Sequence, residues 1–155
     1  MSDVNANNRA KFYEIINTFK DQICNLLNDK SLDLTEKQRQ ENIRKFENLH
    51  EKIKLAKLSN SKLAIELFYR GMVVPYGTYI LRQDDNFFMT QTDLVSGSDE
   101  VQYGLFIEEL KSIWKLLDSN NKKVIWRYML ALSKLSDAIM GENYLERLKA
   151  KNNAN

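Results

Sequence analysis

The sequence predicts an all-α fold, a single-domain bundle of about five to six helices. Three observations carry that prediction. Apolar residues recur at steps of three and four through most of the chain. Helix-breaking residues are nearly confined to the middle, at Gly71, Pro75, Gly77 and Gly97, and to Gly141 near the end. No series of short alternating segments suggests a strand ladder. At 155 residues, with seven Phe, seven Tyr and two Trp, one domain has enough apolar mass for a substantial core.

Residues 1–8 are polar and Asn-rich and read as a flexible arm. From Arg9, the residues Phe12, Ile15, Ile16, Phe19, Ile23, Leu26 and Leu27 lay one stripe along a first helix. Asn28 to Ser31 breaks it. Thr35 and Gln38 form a capping-box pattern that starts a second helix. Its stripe, Ile43, Phe46, Leu49 or His50, Ile53 and Ala56, is thin, and its charge is high, so it belongs on the outside. Ser59-Asn60-Ser61 reads as a break and an N-cap, and Leu63, Ala64, Leu67 and Phe68 continue on a third helix.

That helix should end before Pro75, because proline pushes Val74 out of the α region. Tyr76–Arg82 reads as one or two more helical turns, with a short strand as the competing reading. Residues 83–100 read as an irregular stretch, opened by the turn signal Asp84-Asp85-Asn86 and holding an apolar knot, Phe87-Phe88-Met89. Tyr103, Phe106, Ile107, Leu110, Ile113, Trp114 and Leu117 make an amphipathic helix capped by Ser98 or Asp99. A short junction then predicts an antiparallel C-terminal hairpin with a helix that Ser119 caps and that runs to Gly141. Apolar residues surround most of that last helix, which places it centrally. The domain spans 9–148, and 149–155 reads as a flexible tail.

Composition also excludes functions. A lone Cys24 forms no internal disulfide, and one Cys with one His cannot build the usual zinc site. The net charge of +2 is too balanced to make nucleic acid the default partner. There is no signal-like N-terminus and no apolar stretch of membrane length, so a soluble protein without membrane insertion is expected. Asp84-Asp85-Asn86 could bind a cation, but Phe88, Met89 and Val95 stand where a calcium loop needs a ligand, Gly and Glu. A turn or cap is the better reading, and no metal or cofactor is expected. His50 lies beside an apolar stripe and reads as a packing residue. A nucleophilic Cys24–His50 pair is the weaker alternative. With no catalytic set assembled, the chain is not expected to be an enzyme.

Two surfaces remain as candidates. Tyr76, Tyr79, Arg82, Phe87 and Phe88 form a candidate interaction surface; with Tyr103 and Arg70 they could also stack bases. The bland reading packs these rings onto the helices, and the negative charge of the region favours it. Lys111, Lys115, Lys122, Lys123 and Arg127 form a candidate basic patch at the predicted hairpin. Here the bland reading is a solvated face.

The segment Val74-Pro75-Tyr76, then Ile80-Leu81 and Asp84-Asp85-Asn86-Phe87-Phe88, is followed by Leu110–Lys115 and by Ser119–Met129. In these residues the chain resembles short helical proteins of large nucleocytoplasmic DNA viruses of the mimivirus and algal-virus kind. The resemblance covers residues 67–141. It implies a viral protein of the host cytoplasm and, as a further expectation, of the virion. It brings no catalytic or binding residue with it. The function expected is that of a non-enzymatic structural or interaction protein, with itself or another virion protein as partner; the alternative is a nucleic-acid-associated protein using residues 111–127.

Overall fold

The computed structural model describes residues 2–90 and 103–153. Among these, every regular element is helical: α1 Ser2–Leu27, α2 Glu36–Phe68, a π-helical turn Tyr69–Val73, α3 Val74–Arg82, α4 Asn86–Thr90, α5 Tyr103–Trp114, α6 Ser119–Met140 and α7 Tyr144–Asn153. The all-α bundle follows from the stripes. Phe12, Ile16, Phe19, Ile23 and Leu27 of α1 are all buried, as are Phe46, Leu49 and Ile53 of α2. α1 has α6 and α2 as its main neighbours.

The Thr35 and Asn60 caps act where expected, whereas α6 is capped by Asp118 and not by Ser119, because it is the Asp118 carboxylate that accepts from the Asn121 amide. Thr35 Oγ1 accepts from the Gln38 amide at 3.1 Å, and Gln38 Oε1 accepts from the Thr35 amide at 3.0 Å. Arg39, buried on the first turn of α2, donates to the carbonyls of Leu27 and Asp29 and so satisfies the end of α1. At Asn60 the backbone leaves the helix (φ −162°, ψ 92°), and its Oδ1 accepts from the Leu63 amide at 3.0 Å. α2 is therefore two helical segments joined at the expected break.

In four places the structure carries more helix than the sequence reading assigned. The arm 1–8 is helical from Ser2, because a helix nucleated by the packed stripe extends at the gain of one hydrogen bond per residue. The tail is helical through Asn153, as the continuation of α7, whose start Asp137 caps. Val74 does not leave the α region (φ −64°, ψ −51°). The chain instead widens into a π turn, in which the Val74 amide donates to the Tyr69 carbonyl. That turn carries the helix past Pro75, at the start of α3, where a missing N–H is tolerated. Residues 83–100 are not wholly irregular, since Asn86–Thr90 forms a short helix. Residues 74–82 are helix, so the strand alternative fails. The proposed caps Ser98 and Asp99 lie outside the described residues.

α6 is central, as its apolar pattern predicted. Ile125, Trp126, Met129, Leu132 and Ile139 are buried, and Asp118 caps its start by accepting from the Asn121 amide at 2.8 Å. Its main backbone neighbour is α1; α5 lies on α2. The predicted hairpin thus meets across side chains, with Trp114 edge-on to Trp126 at 6.1 Å.

Candidate functional site

The aromatic middle is closed. Phe87 and Phe88 are 0% and 2% exposed, so they are core rather than an interaction surface. Phe88 stacks on Trp114 at 4.0 Å, and Phe87 packs edge-on against Tyr76 at 5.2 Å. Tyr76 and Tyr79 are half-buried around them, and Tyr103 is buried. The carboxylates beside the knot hold structure. Asp84 Oδ1 accepts from the Asn86 amide at 3.0 Å, and Asp85 Oδ1 accepts from Trp126 Nε1 at 2.9 Å. The turn-and-cap reading of this cluster is the one that the geometry bears out. Ring after ring met a neighbouring ring because edge-to-face contact is favourable once both are buried.

The predicted basic patch separates into two kinds of residue. The Lys111 side chain is 16% exposed and lies 3.8 Å from Glu108. Lys122 Nζ sits 5.6 Å from the centre of the Trp114 ring. Lys115, Lys123 and Arg127 are exposed. Among the described residues no hydrogen bond joins Cys24 to His50. Burial raises the Cys24 thiol above its ordinary range, outweighing nearby Lys20, and burial lowers the His50 imidazole, helped by Lys20 and Lys54.

The open site lies at the other end of α6. There α3, α6 and α7 enclose a groove of about 770 Å³. Its formation can be traced residue by residue. Gly141 turns the chain out of α6 in the left-handed region (φ 72°). The buried Asp137 carboxylate then accepts from the amides of Tyr144 at 2.9 Å and Leu145 at 3.0 Å, capping α7. Gly77 lets α7 approach α3; a Cβ there would lie 2.8 Å from Leu148 Cδ2. Tyr144 Oη donates to the Val74 carbonyl at 2.8 Å, and Tyr69 Oη donates to Glu142 Oε2 at 2.9 Å. Burial and that carboxylate push the Tyr69 phenol well above its ordinary range. Arg70 is held by Glu66 and Glu142.

Apolar Leu81, Leu130, Ala138 and Leu145 line the groove, with Arg82, Lys134 and Lys149 as its cations. All three cations are exposed, and none joins an ion pair seen among the described residues. Of its two carboxylates, Asp137 is engaged by α7, which leaves Glu146. Arg82 belonged to the predicted interaction surface, and the structure moves it from the aromatic knot to this groove. Sequence reading missed Lys134 and Lys149. The spacing Lys123, Arg127, Lys134, at steps of four and seven, places three cations on one face of α6 and could have signalled it.

Among the described residues no group of His, Cys, Asp and Glu could hold a metal ion, and no helix is long and apolar enough to cross a membrane. Set against family models, curated proteins and solved structures, the chain matches none of them.

Proposed function

We propose that the protein is a non-enzymatic helical interaction protein, and that a partner docks in the groove between α3, α6 and α7. One observation carries this reading: an open groove of about 770 Å³ whose lining mixes apolar side chains with three cations that are unpaired among the described residues. Three carboxylates serve structure: Asp84 and Asp137 accept from backbone amides at helix starts, and Asp85 holds Trp126.

A photo-cross-linking residue at Ala138, compared with one at Asn48 on the exposed face of α2, tests the reading in cells that make the protein. A discrete adduct from Ala138 alone is expected. Equal adducts from both positions, or none from Ala138, would overturn it. The viral and virion setting rests on the resemblance over residues 67–141. Detection in purified particles supports packaging, and abundance in infected cytoplasm without detection in particles removes it.

Nucleic acid is the second reading, favoured by the exposed cations Lys123 and Arg127. Phosphate binding falls steeply with salt, so the absence of an oligonucleotide mobility shift even at low salt ends this reading.

A further inference from the structure

We infer, resting on the docking reading above, that the groove's partner is an acidic amphipathic helix. Lys123, Arg127 and Lys134 are exposed on one face of α6. Lys123 and Lys134 are eleven residues apart, about 16 Å along the helix. α6 also borders a second, shallower depression of about 300 Å³, lined by Ile15, Val124, Tyr128 and Ala131 with Arg127 beside them. Leu130 and Lys134 border the main groove. Cations at helical spacing therefore lie along the wall between the main groove, whose lining mixes apolar and polar side chains, and a shallower, largely apolar depression.

An occupant that satisfies this pattern carries carboxylates seven residues apart, to meet Arg127 and Lys134. It carries apolar side chains beside them, to enter the depressions on either hand. A helix provides both from one face. Complementary charge sets register and speeds encounter, while the apolar anchors supply most of the hold.

Two other occupants fit less well. A second copy of the chain would offer its most exposed apolar residues, Leu55 and Leu58, at 63% and 82% exposure. Those leucines are interspersed with Lys54, Lys57 and Lys62, so like charge would meet like. Single-stranded nucleic acid wants exposed rings for stacking, and Phe87, Phe88, Trp114 and Trp126 are buried.

Fluorescence anisotropy with the full chain tests the inference. The probe is a labelled helical peptide of about 18 residues, long enough to hold helix. It carries Glu at positions seven apart and Leu between them. Its control has Lys in place of each Glu, and an unlabelled oligothymidine serves as competitor. The acidic peptide alone should bind. Arg127→Glu with Lys134→Glu should weaken it by about tenfold or more, since two attractive pairs become repulsive. Leu58→Glu should leave it unchanged. Both changed cations are exposed, so an unchanged thermal midpoint will show that the double variant is folded. Equal binding of both peptides, displacement by the oligonucleotide at lower concentration than by unlabelled peptide, or no binding of the acidic peptide would each overturn the inference. An adduct from Ala138 in cells alongside such a failure would leave the docking reading standing and remove only the acidic helix.

Discussion

The two ends of α6 show opposite uses of the same raw material. At its start, four large rings close on one another: Phe88 on Trp114 at 4.0 Å, Phe88 against Trp126 at 5.1 Å, Phe87 against Trp126 at 6.2 Å. At its end, Gly141 and Asp137 swing α7 away, and the wall between α6 and α7 stays open. Aromatic residues stand out in a sequence and turn out to be core. Single lysines look like ordinary solvated positions, yet two of them, Lys134 and Lys149, line the open groove. Conspicuous side chains are thus a poor guide to where a surface is available, because large rings gain most from burial.

The comparison is broken most severely at the closed end. Trp126→Ala removes a ring that is 2% exposed and leaves the Asp85 carboxylate without its indole partner. The expected loss is about 3–5 kcal/mol in urea unfolding, with the whole transition shifted. A loss below about 1 kcal/mol would mean that α6 is not the centre of the bundle.

Asp137→Ala should act differently. It removes the acceptor for two α7 amides, so about 1–3 kcal/mol is expected. The loss should be local, with faster hydrogen exchange over residues 144–153 and unchanged protection in α1. Uniform loss of protection would show that the two ends are one cooperative unit and that the contrast between them is only geometric.

How far could this contrast be read in advance? The stripes of α1 and α6, the Thr35–Gln38 box, the break at Asn60 and the cap at Gly141 were legible because each depends on a few neighbouring residues. The passage through Pro75 was not. The rule for residues before proline is a local steric preference, and Val74 keeps α dihedrals against it inside the continuous helical run from Tyr69 to Arg82. The groove was illegible for another reason. Arg82 and Lys149 are 67 positions apart and share a site only because α7 folds back over Gly77. No local pattern encodes that approach. A glycine inside a helix, which costs about 1 kcal/mol against alanine, was its one visible trace.

Tyr69→Phe probes the joint between the π turn and the open end. The lost hydrogen bond to the part-exposed Glu142 should cost about 0.5–1.5 kcal/mol. The pH dependence carries more information. The folded-state pKa of Tyr69 is raised above the unfolded value near 10, so its contribution is complete below that value and is lost as pH rises beyond it. Tyr13, pushed up to about 12 by burial, acts in the same sense. Wild-type stability should therefore decline above about pH 10, and Tyr69→Phe should decline less steeply. Identical alkaline slopes for the two proteins would show that the Tyr69 phenol is not held protonated by the fold.

The smallest effect is expected where α7 crosses α3. Gly77→Ala adds a Cβ that would lie 2.8 Å from Leu148 Cδ2, closer than packing allows. The obstructing atom is the tip of a half-buried side chain, and a rotamer change that relieves it costs about 0.5–1.5 kcal/mol. Alanine in place of glycine within a helix returns about 1 kcal/mol. The two terms nearly cancel, so global stability should change by less than about 1 kcal/mol in either direction. The shift of Leu148 should nevertheless be felt by Leu145 and Glu146 on the groove side of α7, as altered amide chemical shifts confined to α3 and α7. A loss above about 2 kcal/mol would mean that α7 cannot adjust, and that the open end is packed as rigidly as the closed one.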